Sequence, residues 1–203
     1  MPVTLDPDAA LMLRVKRGDM QAFADLVEKY KQPVTNLVAR TIRDESEAED
    51  IAQNVFIQVH KSAARYQVTA KFTTWLFTIA RNLCLNELRR RSRHRADSLD
   101  AAPPSDDDLP ARQYEDVKTF APDAAAQHNE LADKIEEALA ALPENQRTAI
   151  LLFQRQEMSY EEIGEVLDTS LSATKSLIHR GRETLKEKLK AYLRTGEWTE
   201  AGE

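Results

Sequence analysis

Near the C-terminal end of the sequence, Lys175, Ser176, His179, Arg180 and Arg182 fall on one side of a helical period. Thr174, Ile178, Gly181, Leu185 and Leu189 fall on the other. Lysine and arginine donate to phosphate oxygens and guanine edges, and serine or histidine can hydrogen-bond either, so the set suits a helix lying in the major groove of DNA. A solvated amphipathic helix with a basic exterior has the same pattern, and His179 by itself argues for neither. A second cationic run, Arg89–Arg95, stands in the first half of the chain. Acids gather at Glu47, Glu49 and Asp50, at the start of an apolar-periodic stretch where a helix dipole also favours them. No comparable set supports catalysis. His60, His94, His128 and His179 are scattered, without metal-ligand spacing to one another or to Cys84, and there is no GxxxxGK[ST], GxGxxG or GxSxG motif. Cys84 lies beside an apolar stripe and reads as a packing residue. A binding protein without catalysis, metal or cofactor is the expectation.

The elements that must position these groups are helical. Five glycines in 203 residues is low usage for a β-sandwich or barrel, whose tight turns depend on glycine. One cysteine makes no internal disulfide, and the longest apolar run, Ala149–Phe153, falls far short of the roughly 20 residues that span a bilayer. The N-terminus lacks the basic and apolar regions of a signal peptide, so a cytoplasmic location without membrane insertion is expected. About ten residues follow Leu193, so no C-terminal sensor domain is expected.

In the first half, Asp6 or Asp8 is placed to cap a helix ending near Gly18. Met20, Phe23, Leu26, Val27 and Tyr30 then recur at helical spacing and continue past Pro33, which should kink or interrupt the helix. Ser46-x-x-Glu49 reads as a capping box for a helix with Ile51, Ala52, Val55, Phe56 and Val59 on one face. A break over Tyr66–Lys71 precedes a long helix with Phe72, Trp75, Leu76, Ile79, Ala80 and Leu83 as its stripe, Trp75 reading as core. In the second half, Leu131, Ile135, Leu139 and Leu142 form a stripe, and another helix follows Pro143. Ser159-x-x-Glu162 caps a short helix, Asp168-Thr169-Ser170 interrupts, and a final helix runs from about Leu171 to Leu193. A short helix, a tight turn and a longer basic helix outline a helix-turn-helix.

Charge separates the two halves. The net charge is −6, but residues 1–95 carry 16 Lys and Arg against 11 Asp and Glu, whereas residues 96–129 carry 2 against 8. Phosphate binding follows local cationic density rather than the whole-chain sum. Residues 96–126, with Pro103, Pro104, Pro110, Pro122 and the run Asp106-Asp107-Asp108, read as a flexible acidic linker. The expected architecture is all-α, with a helix bundle over 1–95, the linker over 96–126 and a helix-turn-helix domain over 127–203. On these grounds alone a free-standing DNA-binding regulator and a helical adaptor also remain open.

Longer motifs narrow the field. Gly18-Asp19-x-x-Ala22-Phe23-x-x-Leu26-Val27-x-x-Tyr30, Ala48-Glu49-Asp50-Ile51-Ala52-Gln53-x-Val55-Phe56 and Phe72-Thr73-Thr74-Trp75-Leu76-Phe77-Thr78-Ile79-Ala80-Arg81-Asn82 are followed by Leu142-Pro143-Glu144-x-Gln146-Arg147. The series closes with Ser159-Tyr160-Glu161-Glu162-Ile163-Gly164-Glu165-Val166-Leu167 and Lys175-Ser176-Leu177-Ile178-His179-Arg180-Gly181-Arg182. In order and spacing the chain resembles the extracytoplasmic-function sigma factors, two-domain members of the bacterial sigma-70 family.

The resemblance implies a sigma-2-like bundle whose Glu49, Asp50, Gln53 and Phe56 dock on the β′ clamp of core RNA polymerase. Tyr66, Lys71, Arg81, Asn82, Arg89 and Arg90 would meet the −10 element and hold melted DNA, and Arg91 would help neutralise phosphates. A sigma-4-like domain, which in the family also meets the β flap, would read the −35 element with Lys175, Ser176, His179, Arg180 and Arg182. The linker would thread towards the polymerase cleft, as a nucleic-acid mimic or as a plain tether. Many relatives have an anti-sigma factor as a partner, although no residue here identifies one. Three departures concern the promoter sequence: Ser172-Ala173-Thr174 replaces a usual Gly-Thr-Val, Leu177 a usual arginine, and Gly181 a usual alanine at a helix cost of roughly 1 kcal/mol.

Overall fold

A computed structural model describes residues 6–100 and 124–195. Eight α-helices account for most of them, and no strand occurs among the described residues: α1 (Pro7–Lys16), α2 (Met20–Ile42), α3 (Glu45–Ser62), α4 (Phe72–Asp100), α5 (Ala124–Ala140), α6 (Glu144–Arg155), α7 (Tyr160–Leu167) and α8 (Leu171–Thr195). Because α4 continues to Asp100 and α5 begins at Ala124, both ends of the stretch read as linker are helical. The Asp106–Asp108 run lies outside the described residues.

Helices α1 to α4 form the N-terminal bundle. Asp6 caps α1, accepting from the Asp8 N–H, with Pro7 at the first helical position where its missing N–H does no harm. Asp19 caps α2 through the N–H groups of Gln21 and Ala22. Those backbone bonds, Ala22 first, together with the Arg14 guanidinium, hold its carboxyl below the usual range. Pro33 does not interrupt α2, which runs unbroken from Met20 to Ile42. Tyr30, Val34, Leu37 and Val38 are buried on both sides of the proline, and that packing offsets the hydrogen bond it removes. Leu26, Val34, Val38, Val55, Val59, Phe72, Leu76 and Phe77 form the centre of the bundle.

The capping of α3 departs from expectation. Its N-cap is Asp44, which accepts from the Glu47 N–H at 3.1 Å, so the Ser46–Glu49 pair falls inside the first turn. Arg43 takes a left-handed conformation (φ 58°) to end α2. Asp44, the next residue and an extended one, is therefore the first placed to cap.

The C-terminal module packs α5, α6 and α7 around α8. The Ser159 capping box forms as read: Ser159 Oγ accepts from the Glu162 N–H at 3.2 Å, and a Glu162 carboxylate oxygen accepts from the Ser159 N–H at 2.7 Å. After α7 the chain turns through Asp168 (φ 53°), the Thr169 N–H donates to the Gly164 carbonyl, and the Thr169 and Thr174 hydroxyls meet at 3.1 Å. Close packing requires glycine at two positions. A Cβ on Gly164 would stand 3.0 Å from the Thr169 carbonyl oxygen and 3.1 Å from the Thr174 hydroxyl. One on Gly181 would stand 2.5 Å from the Ile150 Cδ1. The helix cost assigned to Gly181 therefore has a structural return, the close seating of α8 on α6. The two modules also touch each other, α7 against α4 and α6 against α2.

Candidate functional site

Helix α8 divides as its period predicts. Thr174, Ile178 and Gly181 are buried and Leu185 is half-buried. Lys175, Ser176, His179, Arg180 and Arg182 are exposed. Among the described residues no acid pairs with Lys175, His179 or Arg180, so their donors face solvent. Arg182 differs, because its guanidinium lies over the Phe153 ring at 4.6 Å and that ring stacks on Tyr160. Arg182 is thus drawn to the α6 flank and away from the outward row. The scaffold beneath is firm: Ser159 and Glu162 fix α7, and the Gly164 and Thr169–Thr174 contacts fix the turn. This is a helix-turn-helix presenting a cationic, hydrogen-bonding face one helix wide, the width a major groove admits.

The N-terminal cations behave differently. Asn82 and Arg89 are exposed. Arg81 is half-buried, its Nη2 donating to Asn145 Oδ1 of α6 at 3.1 Å while its buried Nε finds no acceptor. Lys71 stands at the mouth of α4 in an ion pair with Glu162 of α7 at 2.7 Å, and that hydrogen bond raises its pKa. Arg90 is held by Glu87 at 2.7 Å. Arg91 bridges Glu87, Glu47 and the Ile42 carbonyl, with the hydrogen bond to Glu47 the chief cause of its raised pKa. These arginines tie α4 to the start of α3, so Arg90 and Arg91 are structural cross-braces here rather than unpaired cations.

Tyr66 lies in the core and not at the loop surface where its place in the sequence puts it. Its ring is only 3% exposed, edge-on to Trp75 at 4.9 Å and near Phe72, so it stands in the core and offers no face to a base. Its hydroxyl is buried without a partner, and burial, then the charge of Asp6, push its pKa up to about 12. The loop is pinned at both ends, by Lys16 Nζ donating to the Tyr66 carbonyl and by the Phe72 N–H donating to Asp6. The residues it does present are Gln67, Val68 and Thr69, with Val68 43% exposed. Sequence reading passed over them, since an aromatic ring is a stronger signal than a short polar run.

On α3, Glu49, Asp50 and Gln53 are exposed, and Phe56 is half-buried against the bundle core. Glu47 is occupied by Arg91, so the free acidic start is Glu49 and Asp50. Ile57, 48% exposed and one turn beyond Gln53, extends this face and was also missed. Beside it a groove of about 340 Å³ runs between α3 and α4, lined in part by Asn54, Ile57, Lys61 and Asn86.

Cys84 is buried, and burial pushes its thiol up to about 12, which suits packing and not nucleophilic attack. No cluster of three or more metal-ligating side chains occurs among the described residues, and no described helix is long and apolar enough to cross a membrane.

Residues 26–94 match the family model for Sigma-70 region 2, and residues 132–185 match that for Sigma-70, region 4. The chain is 36% identical over 177 residues to the ECF RNA polymerase sigma factor SigW of Bacillus subtilis, covering 87% of this chain and 94% of SigW. It is 32% identical over 192 residues to the RNA polymerase sigma-H factor of Pseudomonas aeruginosa, covering 95% and 98%. Among solved structures, CnrH bound to the cytosolic domain of CnrY superposes with a TM-score of 0.67 at 22% identity, over 92% of this chain and 99% of the other. The sigma factor RpoE of Bartonella quintana, bound to the anti-sigma factor NepR, gives 0.64 at 23%, over 83% and 96%. These two structural likenesses speak to the fold.

Proposed function

The chain belongs to the extracytoplasmic-function sigma factors of the sigma-70 family, and from that premise we propose which of its surfaces meet core RNA polymerase and which meet promoter DNA. As a sigma factor it directs core polymerase to promoters and supports initiation. The division of α8 carries the assignment of the −35 reader. Its inner face is locked to α6 and α7, and Lys175, Ser176, His179 and Arg180 point outward without acid partners. Bidentate contacts to guanine and hydrogen bonds to phosphate are the chemistry these groups offer, each good base contact giving about 1–3 kcal/mol of discrimination.

At the other end, Lys71, Arg81, Asn82 and Arg89 line the first turns of α4 and its continuation. We assign them to the −10 element, together with the exposed loop residues Gln67, Val68 and Thr69. Holding a flipped base costs a few kcal/mol of lost stacking, which contacts from these exposed loop residues and the cations along α4 are suited to offset. The Glu49, Asp50 and Gln53 face, extended by Ile57, is assigned to the β′ clamp. The chain supplies recognition and the polymerase supplies the chemistry, so no cofactor is needed, and a cytoplasmic location follows from that role. An anti-sigma factor is the expected regulator, in keeping with the complex in which the Bartonella RpoE is seen.

The test is transcription by reconstituted core polymerase from a library of random promoters, with the parent chain and with Lys175→Ala and Arg180→Ala. The parent should enrich a −35 and a −10 motif. Each variant should weaken −35-dependent initiation and lower the salt slope of DNA binding by about 0.9 for every phosphate it leaves unneutralised. Initiation unchanged by both substitutions would reject α8 as the reader.

A further inference from the structure

Polar links join the two modules. Arg40 of α2 grips Glu136 of α5 with two nitrogens at 2.6–2.9 Å, Lys71 pairs with Glu162 of α7, and Arg81 donates to Asn145 of α6. Two of the three cations, Lys71 and Arg81, are among those assigned above to DNA. Their partners Glu162 and Asn145 belong to the module that carries the −35 reader. The junction is also imperfectly closed. A groove of about 770 Å³ runs alongside it between Arg40, Arg43, Glu136 and Arg147. Arg81 on one side of the junction and Arg147 on the other each bury an Nε without an acceptor. An interface held by partly exposed ion pairs, with buried donors unsatisfied, is poised to exchange its partners.

We infer that the C-terminal module docks on the mouth of α4 as an electrostatic latch, so that Glu162 and Asn145 compete with DNA for Lys71 and Arg81 in the free protein. The competition rests on the DNA assignment proposed above; the docking itself does not. In the latched form the −10 cations are engaged from within, and DNA must displace the carboxylate and the amide to reach them. Arg40 and Glu136, assigned to neither DNA nor polymerase, hold the latch from the far side of α2.

The test uses the full chain carrying fluorophores at Gln58→Cys and Lys186→Cys, with Cys84 buried and unlabelled, and reads inter-module energy transfer together with affinity for single-stranded DNA of random sequence. Arg40→Glu and Glu162→Gln should each lower energy transfer and raise DNA affinity, about twofold for Glu162→Gln, whose Lys71 partner is largely exposed, and about fivefold for Arg40→Glu, whose ion pair is less exposed. Glutamine at 162 still accepts the Ser159 N–H, so the helix cap survives. The exchange Arg40→Glu with Glu136→Arg should restore both readings. Energy transfer unchanged in both single variants, or no recovery in the exchange, overturns the latch. Opening without any gain in DNA affinity overturns the competition. In that case the fault lies in the DNA assignment if Lys71→Ala, added to the open Arg40→Glu chain, also leaves affinity unchanged.

Discussion

Glu162 does two jobs with two oxygens, and substitution can separate them. One oxygen accepts the Ser159 N–H at 2.7 Å to close the capping box of α7, and the other receives Lys71 at 2.7 Å. Its bond to the Ser159 N–H contributes about 1 kcal/mol, the usual net worth of one hydrogen bond, while Ser159 Oγ keeps its own bond to the Glu162 N–H whatever stands at 162. The ion pair contributes about 0.5 kcal/mol, because the Lys71 side chain is 64% exposed and solvent screens it. Glu162→Ala removes both and should cost about 1.5 kcal/mol. Glu162→Gln keeps an acceptor for the cap and should cost about 0.5 kcal/mol. For a chain of this size 1 kcal/mol moves the midpoint by about 2–4 °C, so the expected losses are about 3–6 °C for alanine and 1–2 °C for glutamine. Thermal unfolding followed by circular dichroism at neutral pH reads both.

The acid limb adds a sign. Burial works to raise the Glu162 pKa, but the Lys71 and Ser159 hydrogen bonds together hold it below the ordinary value of 4.5. A depressed folded pKa gives stability that is complete above the unfolded value and lost as pH falls through the folded one, so the charge-dependent part of each variant's deficit relative to the parent should close in acid. Equal losses for alanine and glutamine at neutral pH, or a deficit relative to the parent that widens on acidification, would refute this division of labour.

Asp50→Arg should weaken core polymerase binding about tenfold, measured by competition with the parent chain, since it puts a cation on the exposed face assigned to the clamp. Gly164→Val should destabilise the chain by about 2 kcal/mol in urea unfolding and depress −35-dependent initiation, because the Thr169 carbonyl leaves no room for a branched side chain. Tyr66→Phe should leave initiation unchanged and stability equal or up to about 1 kcal/mol higher, since it deletes a buried hydroxyl that has no partner; a marked loss of open complex would return the ring to a role at the −10 base.

Much of this was legible in the residues, and the gaps have physical causes. The Ser159–Glu162 cap could be read because its pattern directly precedes an apolar run, with no Ser, Thr, Asp or Asn among the three residues before it. The same reasoning failed at Ser46, where Asp44, two residues earlier, comes first after the left-handed Arg43. The split of α8 into an inner and an outer face needed only the helical period. Pro33 does not break α2, because buried residues on both sides, of which local propensity says nothing, keep the helix continuous through it. Arg90 and Arg91 looked like free cations because Glu47, their partner, lies more than forty residues away in the chain. Tyr66 sits in a loop by sequence and in the core by packing, and only three-dimensional contacts tell those apart. The links from Lys71, Arg81 and Arg40 to the second module leave no trace in either half read alone.

The missing side chain at position 181 separates two properties that are often entangled in DNA-reading helices. With Ile150 pressed against its backbone, the depth at which α8 sits is decided from the inside. Under the −35 assignment proposed above, substitution of the outward row should alter promoter choice while the platform stays where it is. Sequence preference would then be free to drift, and open to redesign, without renegotiating the fold beneath it.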